Sequence, residues 1–184
     1  MTGFTDKDVP SQVGKCIVVT GGNTGIGFGA AKTLAARGAR VLLACRNPAK
    51  AQEALLRIRD DVAGADVAFV PLDQADLNSV RQAAEIIAQE PKVDVLLNNA
   101  GVMFPPLDRT VQGHEQQFGV NHLGTYALSL LLLPKLAETA GSRIVVTASI
   151  AHTLGKIDRD DIDAHKSYKT SHPHSDTKSI NLLP

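Results

Sequence analysis

Short β-branched runs alternate along this chain with longer segments of helical period, and that alternation is the pattern of a parallel α/β sheet. Strands are predicted at Cys16 to Thr20, Arg40 to Cys45, Val67 to Val70, Val93 to Leu97 and Arg143 to Thr147. Each reads as apolar on both faces. Helices covering both sides of a sheet demand this, because an alternating strand would turn polar groups into a dry core. Helices are predicted near Ile26 to Arg37, Ala49 to Val62, Leu77 to Gln89 and Glu115 to Ala140, with stops at Gly38, Gly64 and Gly141, where glycine supplies the left-handed residue that ends a helix. Residues 1–14 are a lead-in. Residues 152–174, charged, His-rich and without clear period, read as a long surface loop before a last helix at 175–184. All 184 residues form one domain, long enough to bury about 70% of its unfolded surface without disulfides or structural metal.

Charge and composition narrow the partners. The 19 Lys+Arg balance the 19 Asp+Glu, so no net field holds nucleic acid or an anionic membrane. Aromatics make up 4% with no Trp, which argues against a base-stacking surface. A small-molecule ligand is left. Cys16 and Cys45 cannot make a disulfide framework and are expected to be reduced and buried, at opposite ends of neighbouring strands. The first residues lack the basic start and apolar run of a secretory signal. Leu128 to Leu133, interrupted by Ser129 and stopped by Pro134, falls far short of the roughly 18 residues that span a bilayer. A cytoplasmic protein without a transmembrane segment is expected.

The first strand ends in Thr20-Gly21-Gly22-Asn23-Thr24-Gly25-Ile26-Gly27 and runs straight into a helix. Glycines there let the backbone turn sharply and approach a pyrophosphate, while the helix N-terminus offers free N–H groups to phosphate. Asn98-Asn99-Ala100-Gly101 follows the fourth strand, Gly119-Val120-Asn121-His122-Leu123-Gly124 lies in the long helix, and Ala148-Ser149-Ile150-Ala151-His152 follows the fifth strand. From about residue 13 onward these motifs resemble the short-chain dehydrogenase/reductase family, and most of all its retinol-dehydrogenase-like branch. The resemblance implies a Rossmann-like doubly wound parallel sheet of strand order 3-2-1-4-5. It also implies a nicotinamide dinucleotide held by Gly21, Asn23, Thr24, Gly25, Ile26 and Gly27, by Asp73 near the adenine, and by Asn99, Ala100 and Gly101 on the adenosine side.

The second strand ends Leu43-Ala44-Cys45-Arg46-Asn47, with no carboxylate where an NAD-binding fold places one on the adenosine ribose. Arg46 can instead pair with a 2′-phosphate in fork geometry. NADP(H) is the expected cofactor, with Arg46 and Asn47 at its adenosine end.

Family members reduce a carbonyl by hydride transfer while a tyrosine gives the proton, a serine polarises the oxygen, a lysine lowers the tyrosine pKa, and an asparagine supports the lysine through a water. The resemblance places Ser149, Lys178 and Asn121 in the last three roles, and Lys178 also at the nicotinamide ribose. The tyrosine is absent: four residues before Lys178 stands His174. Tyr168 is out of register, with His172 four residues after it. Imidazolium is an acid near neutral pH, but a lysine one helical turn away disfavours it. His165, His172, His174 and Asp176 read as part of a solvated loop rather than a metal cluster, so no metal is expected. The chain also stops at Pro184, before the family's last two strands and substrate cover. The fifth strand is then expected to be an exposed edge open to self-association. Two functions fit: an NADP-dependent oxidoreductase acting on lipophilic alcohols or carbonyls, impaired by His174 and by truncation, or a catalytically inactive nucleotide-binding or interaction module, whether pseudoenzyme or fragment.

Overall fold

The computed structural model, which describes residues 3–150 together with 153, 161 and 163, contains one parallel sheet in the order β3-β2-β1-β4-β5. Its strands are β1 (Cys16–Thr20), β2 (Arg40–Cys45), β3 (Val67–Pro71), β4 (Val95–Asn98) and β5 (Arg143–Val146). The helices are α1 (Gly25–Ala36), α2 (Pro48–Asp61), α3 (Leu77–Ala88), α4 (Gln116–Phe118) and α5 (Thr125–Ala137), and a π-helical turn, Gly119–Gly124, joins the last two. This is the doubly wound arrangement that the alternation of segments predicts.

Successive residues of β1 point to opposite faces, and each face has its own core. Val18 joins Leu42, Leu96, Ile87 of α3 and Leu128 and Leu132 of α5. Ile17 and Val19 join Val41 and Leu43, with Ala31 and Ala35 of α1 and Leu55 and Ile58 of α2. That two-sided burial is why β1 and β2 read as unbroken apolar runs. The rule fails at β5, where Ile144 and Val145 are 41% and 42% exposed. Among the described residues β5 pairs with β4 alone, at the end of the sheet. Cys16 and Cys45 are both free and buried. Cys16 sits opposite Arg40, so Cys45 lies about 16 Å further along β2 at about 3.3 Å per residue. Burial pushes the Cys16 thiol up to about 11 and raises Cys45 as well.

Most predicted boundaries fall within one residue of those observed, and two larger differences have identifiable reasons. Val93 is fully buried but precedes the ladder, because Asp94 turns its carboxylate onto the Cys16 N–H at 2.8 Å. The single helix expected from Glu115 to Ala140 is instead broken by the π-helical turn. Glu115 stands before it as the N-cap, its carboxylate accepting from the N–H groups of Gln117 and Phe118. Gly38, Gly64 and Gly141 do take positive φ at their helix ends. Of the predicted 152–174 loop, Asp163 is described: it accepts from His114 Nδ1 at 2.8 Å and from the Glu115 N–H at 2.9 Å.

At the opposite end of β2, Arg40 donates to both Glu90 oxygens, at 2.7 and 2.8 Å, and to Asp66 at 2.6 Å. The hydrogen bonds from Arg40 hold the Glu90 carboxyl below its ordinary 4.5. A carboxyl depressed in the folded state adds stability that is complete above its unfolded pKa and is lost as pH falls through the folded value. Glu90→Gln is therefore expected to flatten the loss of stability below about pH 4.5, by about 1 kcal/mol at most because Arg40 is partly exposed. Urea midpoints at about pH 7 and about pH 3.5 check this: equal acid slopes in the two proteins would show that the pair contributes nothing.

Candidate functional site

The turn after β1 is built around Thr20, which is fully buried. Its hydroxyl accepts from the N–H groups of Asn99 and Ala100, each at 3.0 Å, and Asn99 Nδ2 donates to its carbonyl at 3.1 Å. The ends of β1 and β4 are thereby fastened together. Close approach then dictates glycine: a Cβ on Gly21 would lie 3.1 Å from Ala100 Cα, and one on Gly27 would lie 2.4 Å from the Gly21 carbonyl oxygen. Gly25 differs, with φ +56° and open space where a Cβ would stand. The N-cap of α1, Thr24, makes no side-chain capping bond, so the unsatisfied N–H groups of the first turn are left for a ligand.

In front of this turn lies a cleft of about 380 Å³. Of the residues singled out from sequence, Gly21, Asn23, Thr24, Arg46, Asn47, Asp73, Asn99, Ala100 and Gly101 line it. Gly25, Ile26 and Gly27 shape the turn instead: Gly27 is buried behind Gly21, and Ile26 is 79% exposed. No acid stands at the end of β2. Exposed Arg46 does, and Lys50 lines the same corner. Asn47 fixes the geometry between them by accepting from the Lys50 N–H at 2.9 Å as the N-cap of α2. Lys50 was legible in the sequence only as a cation in the first turn of the helix that follows Arg46. Asp73 accepts from the Ala75 N–H at 2.9 Å, which leaves a carboxylate oxygen free of that bond at the cleft wall. An opening shaped by close-approach glycines, floored by uncapped helix N–H groups and lined by two cations fits a dinucleotide.

Ser149 is half-buried beyond β5. The Thr147 N–H donates to the Asn98 carbonyl at 2.9 Å, which brings the Ser149 segment to the same sheet end as Asn99 to Gly101. Asn121, in the π-helical turn, is 2% exposed; its Oδ1 accepts from the Val102 N–H at 2.8 Å and its Nδ2 donates to the Val102 carbonyl at 2.9 Å. Its side chain thus holds Val102, a residue of the cleft wall. His174 and Lys178 lie outside the described residues. Gln74, where the resembled family carries Leu, donates to Thr125 Oγ1 at 2.9 Å and to the Val120 carbonyl at 3.3 Å, tying the end of β3 to the π-helical turn.

These features define a dinucleotide-binding sheet with a serine and an asparagine beside the cleft, and the chain belongs to the short chain dehydrogenase family, which residues 15–159 match. Among its relatives is retinol dehydrogenase 12 of Mus musculus, 46% identical over 180 residues that cover 97% of this chain and 56% of that protein. A solved structure from Mycobacterium paratuberculosis is 40% identical with a TM-score of 0.88, covering 98% of this chain and 63% of that one. A short chain dehydrogenase from Escherichia coli CFT073, complexed with NADPH, is 26% identical with a TM-score of 0.73, covering 92% of this chain and 68% of that one. The chain spans about half the length of the retinol dehydrogenases it matches. Among the described residues, no helix is long and apolar enough to cross a membrane, and no group of three His, Cys, Asp or Glu could hold a metal.

Proposed function

We propose that the chain binds NADP(H) in this cleft and serves an oxidoreductase that exchanges a hydride with a lipophilic alcohol or carbonyl. The observation that carries the cofactor choice is the pair of cations, Arg46 and Lys50, lining the cleft where β2 ends without a carboxylate. An acid there would bind two ribose hydroxyls and repel a 2′-phosphate, whereas a guanidinium pairs with it. The nicotinamide, when bound, supplies or accepts the hydride. Ser149 would donate a hydrogen bond to the substrate oxygen and polarise it, Asn121 holds the Val102 wall in place, and Lys178 would hold the nicotinamide ribose. His174 stands in the sequence at the proton donor's position, and that residue favours a second reading, a nucleotide-binding module with little turnover, because a lysine four residues on disfavours imidazolium.

Titrating NADPH and NADH by fluorescence tests the cofactor choice. Wild type is expected to prefer NADPH. Arg46→Ala should weaken NADPH by about 1.5–3 kcal/mol, the range for hydrogen bonds to charged groups, and Lys50→Ala by about 1 kcal/mol as an exposed point charge. Neither change should move NADH. Equal affinities of wild type for the two cofactors would rule the choice out.

A further inference from the structure

Phe104 has φ +55°, the one positive value at a non-glycine among the described residues. It also precedes Pro105, a position pushed towards extended backbone. A bulky residue held left-handed persists only where its surroundings over-determine it. Here they do. Gln117, fully buried, accepts from the Phe104 N–H through Oε1 at 3.2 Å. Four residues on, Asn121 holds both backbone groups of Val102. Two buried amides on one helix are thus committed to three backbone groups of residues 102–104, and buried amides are costly unless so paired. The π-helical turn begins between them, a distortion frequent at functional sites.

A tie that served packing alone would draw apolar side chains inward. This one holds them out: Met103 is 62% exposed, and Phe104 and Leu107 are 52% exposed. Met103-Phe104-Pro105-Pro106-Leu107 is an uncharged run. It starts one residue beyond Val102 of the cleft wall and leaves the sheet at the end where the Ser149 segment emerges. We propose that Gln117 is a positioning residue for substrate: by fixing Phe104 left-handed, it sets an apolar rim that selects molecules with an extended hydrophobic body. This deepens the proposed function and rests on it for the site of chemistry.

The test uses the full chain, with 11-(dansylamino)undecan-1-ol as a long apolar probe and NADPH as the cofactor probe, each titrated by fluorescence. Gln117→Leu removes the acceptor, and Phe104→Gly removes the ring while accepting the left-handed backbone. Each is expected to weaken the undecanol probe about tenfold, the effect of losing roughly one side chain's apolar contact. Because Gln117 acts through Phe104, the double variant should be no weaker than either single one. NADPH affinity should stay within about twofold throughout, while backbone hydrogen exchange of residues 102–107 accelerates in Gln117→Leu and that of β1 does not. The proposal is overturned if wild type does not bind the undecanol probe, if the two changes multiply, if probe affinity survives accelerated exchange, or if probe and NADPH affinities fall together. Should Gln117→Leu not fold, Phe104→Gly decides: a tenfold loss supports the rim, and unchanged probe affinity overturns it. Coupled probe binding in a chain that ignores NADPH would support the rim and sink the cofactor reading alone.

Discussion

Gly27→Ala is expected to destabilise the protein by about 2–3 kcal/mol, near the upper end for forcing a methyl group into a packed site, and to weaken NADPH by more than about tenfold. Its Cβ would stand 2.4 Å from the Gly21 carbonyl oxygen and 2.5 Å from Asn99 Nδ2. The first is backbone and the second already donates to Thr20, so neither gives way without opening the turn. Gly29→Ala is the matched control. It lies on the same helix with nothing within 4 Å of its would-be Cβ, and it should stabilise by about 0.5–1 kcal/mol through helix propensity. Urea denaturation of both, with NADPH titration, checks the pair. Equal stabilities would mean that Gly27 is not held by contact, and loss of stability with full NADPH affinity would separate the turn from the cofactor site.

His174→Tyr is expected to raise carbonyl reduction by about 10²- to 10⁴-fold, the usual contribution of a positioned proton donor. In His174-Ser175-Asp176-Thr177-Lys178 the lysine that would lower a phenol's pKa instead disfavours imidazolium, so one substitution turns an opposing neighbour into a supporting one. Steady-state NADPH oxidation with a medium-chain aldehyde measures the change. Wild-type rates already in the ordinary enzyme range would establish His174 as a working acid. No gain with tyrosine would place the limit elsewhere, such as the positioning of nicotinamide and substrate.

What the sequence made legible was whatever depends on neighbours along the chain. The two-faced burial of β1 and β2, the glycine turn and the arginine after β2 each follow from local runs of residue types, and the sheet order follows from recognising the motifs. What it hid depends on segments far apart. Gly119 and Gly124 read as part of a helical motif, yet their Cβ atoms would meet Thr110 Cγ2 at 2.2 Å and the Gln74 carbonyl oxygen at 2.5 Å, and no local pattern announces contacts that bridge such separations. Gln74 stands where the resembled family carries Leu, and no local pattern shows that it donates to the Val120 carbonyl, 46 residues on in the π-helical turn, and to Thr125 Oγ1, 51 residues on at the start of α5. Ser129 read only as a break in an apolar run; its hydroxyl accepts from Asn98 Nδ2 at 3.0 Å. Gln117 carried no signal, because a glutamine in a helix is ordinarily a surface residue.

The central claim is that an adenosine 2′-phosphate occupies the corner between Arg46 and Lys50. A crystal structure of the chain grown with NADP⁺ tests it most directly. The phosphate oxygens should lie within about 3 Å of the Arg46 guanidinium, with Lys50 beside them and the pyrophosphate against the turn from Gly21 to Gly25. A dinucleotide bound outside this cleft, or bound in it with its 2′-phosphate turned away from both cations, would contradict the claim.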